Sequence, residues 1–201
     1  REVDVNAMEL EIDRKVCAII TRRQPTAMDL RLLMALSKTA ANLERAGDEA
    51  VKVTCMSKAV RDHNRTRDFP TSCLRIAGDL ASEQLSKSLD ALARMDAAAA
   101  VSLLADDQAI KVALEGFVLS MITCMANDSR SVHAGLDLLF AAKAIERIGA
   151  HARNLAEFTI YAANGLDVRH ASRHSESTST VIVPSPSATP SHKPPGALLR
   201  R

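Results

Sequence analysis

Two short stretches carry side chains whose type and spacing could do chemistry. Leu43-Glu44-Arg45-Ala46-Gly47-Asp48 and Ile145-Glu146-Arg147-Ile148-Gly149-Ala150 repeat one pattern, with Asp48 in the first replaced by Ala150 in the second. On a helix, residues four apart share a face, so Glu44 and Asp48 present two carboxylates side by side. Two like charges at that spacing repel by about a few tenths of a kcal/mol, and a bridging cation reverses the penalty. Carboxylate oxygen suits Mg, Mn, Fe or Ca. On spacing alone the plainer reading, a solvated charged face, is preferred. The neighbouring glycine and the repetition strengthen the cation reading without displacing the other.

The elements that must hold these residues read as helices. Val5, Met8, Ile12, Val16 and Ile19 recur at spacings of three and four, which predicts a helix from about 2 to 22 that stops at Gln24-Pro25. Thr26, with Asp29 three residues on, is placed to cap a second helix running to about 63, before Phe69-Pro70. A third is expected from about 71 to 94. Asp96 then caps an alanine-rich helix that reaches about 126 with a bend near Asp106-Asp107. Asn127-Asp128-Ser129 makes a turn, and a last long helix covers about 131 to 163, ending at Asn164-Gly165, where glycine can take a left-handed conformation.

Composition agrees with a bundle. Aromatic residues are 2% of the 201, with no Trp, so Ala, Leu, Met and Val supply the packing. The one β-branched cluster, Val181-Ile182-Val183, falls in a Ser/Thr/Pro-rich stretch from about 169 that reads as a disordered tail. A net charge of +2 from 26 basic and 24 acidic residues leaves no basic stripe for nucleic acid. No apolar run long enough to suggest a membrane span is evident. Cys17, Cys55, Cys73 and Cys124 form no CxxC and read as buried, reduced thiols of a cytoplasmic protein. Met28, Met34, Met121 and Met125 read as core filler.

The repeat extends along both helices. Leu33, Leu36, Ala40, Leu43, Gly47 and Ala50 follow a 3-4 spacing that Gly135, Leu138, Ala142, Ile145, Gly149 and Ala152 reproduce, with Glu9 and Glu115 as a weaker echo upstream. Such seams suit helices packed near +20°. A glycine inside a helix costs about 1 kcal/mol against alanine. Gly47 and Gly149 therefore call for close approach of a neighbouring helix or a ligand.

With these stretches in view, the chain resembles the PhoU family. Arg23-Gln24-Pro25-Thr26, Asp29-Leu30-Arg31-Leu32, Ser37-Lys38 and Leu43 to Asp48 look like its first repeat. Ala93-Arg94-Met95-Asp96, Asp128-Ser129-Arg130, Ile145 to Gly149, His151-Ala152, Asn154-Leu155-Ala156-Glu157 and Gly165 to His170 look like its second. The resemblance implies an all-α fold of two tandem three-helix bundles of long antiparallel helices, each with an acidic metal motif. It implies a partial first repeat over 1–66 lacking its first helix, a second repeat over 67–168, and the tail over 169–201. It also implies a non-enzymatic negative regulator of phosphate uptake and phosphate-starvation signalling. Such a protein acts in the cytoplasm through the phosphate ABC transporter ATPase and a phosphate-sensing histidine kinase, reaches the membrane only through them, and is commonly a homodimer.

For the metal, Fe, Mn, Mg or Zn, the resemblance points to Glu44, Asp48 and Glu146, more weakly to Asp90, with Asn154 and Glu157 as supporting oxygen donors. Lys87 stands where an acid would have helped, and His151 faces a different direction from the carboxylates. With Ala150 in place of the usual acid, the second site is expected to bind more weakly than the first. The missing first helix is expected to leave an apolar face over residues 27 to 64. A di-iron oxidase, the enzymatic rival, needs Glu-x-x-His on two helices. Here Gly47 and Gly149 occupy those positions. A purely structural bundle is the third alternative. Arg22, Arg23 and Arg31 form either a solvated basic corner or a place to meet a phosphate group. His170, His174 and His192 are too sparse for a metal site. No Ser, His and Asp are spaced as in a hydrolase, and no Gly-rich loop follows a strand.

Overall fold

Helix-breaking residues fall where the chain turns, and the periodic stretches between them become helices. The computed structural model describes residues 2–62, 69–105 and 108–168. In chain order these form α1 (Glu2–Arg23), α2 (Ala27–Asp62), α3 (Ser72–Ala93), α4 (Ala97–Ala105), α5 (Gln108–Asn127), a 3₁₀ turn (Ser129–Ser131) and α6 (Val132–Asn164), with no strand among the described residues. The described residues of the predicted alanine-rich helix are α4 and α5, on either side of residues 106–107. Its expected bend at Asp106-Asp107 and the tail from 169 lie outside the described residues.

The turns have local causes. At Gln24 the backbone takes a left-handed φ of 45° ahead of Pro25, which has no N–H to continue α1. At the start of α2 the contact formed is between backbones, Asp29 N–H to the Thr26 carbonyl at 3.2 Å. The α3–α4 junction is tighter. Met95 N–H donates to the Leu92 carbonyl (3.0 Å) and Asp96 N–H to that of Ala91 (2.9 Å), the paired bonds of a Schellman cap. Met95 fills the left-handed position at φ 52°, usually given to glycine. Its side chain packs on Ala35, Phe158 and Ala162, which offsets the strain. Asp96 Oδ1 then accepts the Ala99 N–H at 2.9 Å and opens α4, as its sequence position predicts. Gly165 closes α6 at φ 73°, its N–H donating to the Tyr161 carbonyl at 2.9 Å.

α6 is the central strut. Its seam residues Gly135, Leu138, Ala142, Ile145, Gly149 and Ala152 are all buried. On one side Ile145 and Leu138 join Ala77 and Ala81 of α3 with Ile110, Leu114, Phe117 and Met121 of α5. On the other, α2 runs antiparallel along α6. Arg31 lies against Gly165, Asn42 bonds His151, and Glu49 meets Arg147. Ala35 and Ala46 on this face of α2 are nearly inaccessible, and Ala35 packs on Phe158 and Ala162 of α6.

The repeat is packed differently in its two halves. A shift of 102 residues carries Glu44 onto Glu146, and likewise Met8, Ile12 and Ile19 onto Ile110, Leu114 and Met121. The latter three are buried, whereas Met8, Ile12 and Ile19 are 53%, 36% and 39% exposed. In α2 the most buried line is Ala35, Thr39, Asn42, Ala46 and Glu49, which faces α6, while Leu36 and Ala50 of the predicted seam are exposed.

Three smaller expectations are corrected. Cys17 and Cys55 are exposed on outward faces of α1 and α2, although all four cysteines are free. Met28 and Met34 are exposed, whereas Met121 is core. The stretch 97–127 does contain a window long and apolar enough, by composition, to cross a membrane. Its described residues are helical in α4 and α5, and Val112, Leu119 and Ile122 are exposed on α5.

Candidate functional site

Glu44 and Asp48 lie one turn apart on α2 and both are half-buried. The second copy is unlike the first. Glu146 is paired with Lys143 one turn back, Nζ to Oε2 2.6 Å, and Ala150 is exposed. Glu146 shares an open groove of about 510 Å³ with Glu115, Lys111, Leu114, Val118 and Leu119 of α5. Asp90 is exposed on α3. Glu157 is buried and faces Arg153 Nε at 3.5 Å, and Asn154 is committed to Asn42.

Among the described residues no three His, Cys, Asp or Glu side chains gather into a metal-holding group. The donor sets therefore fit a cation unequally. The first copy supplies two adjacent carboxylates with no ion pair between either of them and a lysine or arginine among the described residues. In the second, Glu146 has no partner acid at position 150 of its own helix and is paired with Lys143, and the other carboxylate of its groove is Glu115 of α5.

The two glycines separate in the same way. A Cβ on Gly149 would stand 2.9 Å from Ile110 Cδ1 and 3.5 Å from Gln84 Oε1, so the helix approach inferred from the sequence is present there. A Cβ on Gly47 would meet nothing within 4 Å.

Between the copies lies a polar layer that the sequence motifs do not reveal. Asn42 Nδ2 donates to the Lys38 carbonyl at 2.9 Å, which turns its Oδ1 toward α6. That oxygen accepts from Asn154 Nδ2 at 3.0 Å and lies 2.9 Å from His151 Nδ1. About two turns along α2 from Asn42, the buried Glu49 accepts from Lys52 Nζ (2.9 Å) and Arg147 Nη1 (3.1 Å), both at Oε1. Burial holds the His151 imidazole below its ordinary pKa. Glu49 opposes that shift, and Arg45 and Arg147 add to it. The available signal was the pair Asn42 and Glu49 on an otherwise small-residue face of α2. It becomes legible only once that face is known to meet α6.

Arg31 lies apart from this layer, its guanidinium carbon 3.3 Å from where a Cβ on Gly165 would sit. A cation at that end of α6 complements the helix dipole.

Comparison with known proteins follows the same outline. The PhoU domain profile matches residues 1–55 and 74–159. A phosphate-specific transport system accessory protein PhoU homolog from Burkholderia sp is 46% identical over 172 residues, 85% of this chain and 73% of that protein. The phosphate-specific transport system accessory protein PhoU of Escherichia coli K12 is 41% identical over 169 residues, 83% of this chain and 68% of that protein. The crystal structure of PhoU from Pseudomonas aeruginosa superposes with a TM-score of 0.76 at 35% identity, covering 82% of this chain and 78% of that one.

Proposed function

Because the chain belongs to the PhoU family, we propose that it is a regulatory accessory protein of phosphate uptake rather than an enzyme. The observation that carries this reading is the 46% identity to a phosphate-specific transport accessory protein across most of both chains. In the proposed role it holds the phosphate-starvation response off when phosphate is plentiful. It does so in the cytoplasm by contact with the phosphate transporter's ATPase and a phosphate-sensing histidine kinase, touches the membrane only through them, and works as a homodimer.

A divalent or iron-type cation on Glu44 and Asp48 is part of the proposal. It would neutralise two carboxylates that α2 sets side by side, and so fix the surface the regulator presents. Glu146, with Asp90, Asn154 and Glu157, is proposed to contribute less. The partial first repeat over 1–66, with α1 and α2, and the second over 67–168, with α3 to α6, are its proposed divisions.

The test is expression of the chain in cells lacking their own regulator of this kind, with a phosphate-starvation promoter as reporter. Restored repression in high phosphate, with capture of the ATPase or kinase on the tagged chain, is the expected result. Unchanged reporter output together with capture of neither partner would sink the proposal.

A further inference from the structure

The polar layer between α2 and α6 has an unbalanced charge pattern, and the repeat shows where. The shift that carries Glu44 onto Glu146 also carries Arg45 onto Arg147 and Glu49 onto His151. Arg147 meets a carboxylate across the seam, that of Glu49. The residue in the equivalent place for Arg45 is His151, which cannot neutralise it. Among the described residues Arg45 makes no hydrogen bond and no ion pair, although Glu44 and Asp48 stand on the same helix. Lys52 and Arg147 both hold the one buried carboxylate of the layer, Glu49, while the exposed Arg45 acts on His151 across the seam.

The imidazole adds a specific acceptor. With the Asn42 amide fixed by Lys38, its Oδ1 takes the His151 Nδ1–H, so Nε2 of the neutral ring carries a lone pair. A guanidinium beside an acceptor nitrogen is suited to an oxyanion that still bears a proton. Arg45 donates to the ionised oxygens, and the anion's own O–H donates to Nε2. Glu49, the one carboxylate in the layer, discourages a fully ionised anion but tolerates a protonated one.

We propose that Arg45 and His151, with Lys52 and Arg147 beside them, form a site on the α2–α6 seam for inorganic phosphate in its protonated form. The site joins the first repeat to the second, so a bound anion ties the two halves together in place of the carboxylate that Arg45 lacks. This inference stands on the side chains of the seam and not on the regulatory role.

The experiment is calorimetric titration of the full chain with inorganic phosphate near neutral pH, in EDTA to remove any metal-borne anion, while NMR follows the His151 ring nitrogens. Saturable binding with a shift of the His151 signal is expected. Arg45→Gln should weaken it at least about tenfold, as loss of one charge-assisted contact predicts. Arg45→Lys should fall between the two. Sulfate, fully ionised at this pH, should bind at least about tenfold more weakly than phosphate, by the loss of one hydrogen bond. Absence of a His151 shift, equal affinity in Arg45→Gln, or sulfate matching phosphate would each overturn the site. So would binding of a phosphoserine peptide where inorganic phosphate does not bind.

Discussion

Arg147 of α6 reaches Glu49 of α2 with Nη1 3.1 Å from Oε1, while 60% of the arginine side chain remains exposed and 6% of the glutamate. The carboxylate is therefore the desolvated partner, and the arginine keeps much of its hydration. Lys52 binds the same oxygen from within α2. Among the described residues, Arg147 is the ion-pair partner that reaches Glu49 across the seam, and it links the two halves of the repeat.

Removing Arg147 leaves a buried carboxylate with one lysine, whereas removing Lys52 leaves the cross-seam pair intact. Arg147→Ala is expected to lower unfolding stability by about 1–2 kcal/mol. Lys52→Ala should lower it by about 0.3–0.5 kcal/mol, the usual worth of a local helix pair. Denaturant midpoints decide it, and equal losses would contradict the assignment of Arg147 as the principal partner.

Stability should also depend on pH through His151. Burial, with Arg45 and Arg147, holds its folded-state pKa below the ordinary 6.5, so the unfolded chain takes up the proton first as pH falls. The contribution is complete above about pH 6.5 and is lost as pH drops through that value toward the folded pKa. Unfolding midpoints between pH 7.5 and 5.5 should therefore decline more steeply for the parent chain than for His151→Gln. Parallel slopes would show that His151 is not the group responsible.

Much of this organisation was legible in the sequence. Asp96 and Gly165 announce their helix ends because capping is a local event, set by one side chain and its nearest backbone. The seam of α6 is equally readable, since helices pack on several of its faces and each predicted seam residue finds a partner. The same pattern in α2 misleads, because its burial depends on which face α6 takes, and α6 takes the line of Ala35, Asn42 and Glu49. The Asn42–His151 contact spans 109 residues of sequence, and no local spacing encodes it.

The glycines give a contrast within one protein. Gly47→Ala introduces a methyl group into open space, so it should stabilise by about 0.5–1 kcal/mol through helix propensity alone. Gly149→Ala has the same backbone gain but must push the buried Ile110 Cδ1 away from 2.9 Å. Crowding of a packed core offsets the gain, and the second variant should be less stable than the first. Equilibrium unfolding of the two side by side checks the order, and a reversal would place the close helix approach at the wrong copy.

The two acidic motifs should part company when metal is measured. Glu44 and Asp48 repel each other on α2, and a cation removes that repulsion while gaining two oxygen ligands. Glu146 has no second carboxylate at position 150, and Lys143 already pairs with it at 2.6 Å, so a cation there must displace a lysine without gaining an i,i+4 carboxylate pair. Elemental analysis after dialysis against Mn or Fe should accordingly show a large loss of bound metal in Glu44→Ala and little change in Glu146→Ala. Ala150→Asp restores the carboxylate pair and should raise the metal content. Combined with Lys143→Ala it should raise it further, because the competing cation is gone. Equal losses from Glu44→Ala and Glu146→Ala, or no gain from the restored pair, would remove the basis for an unequal pair of sites.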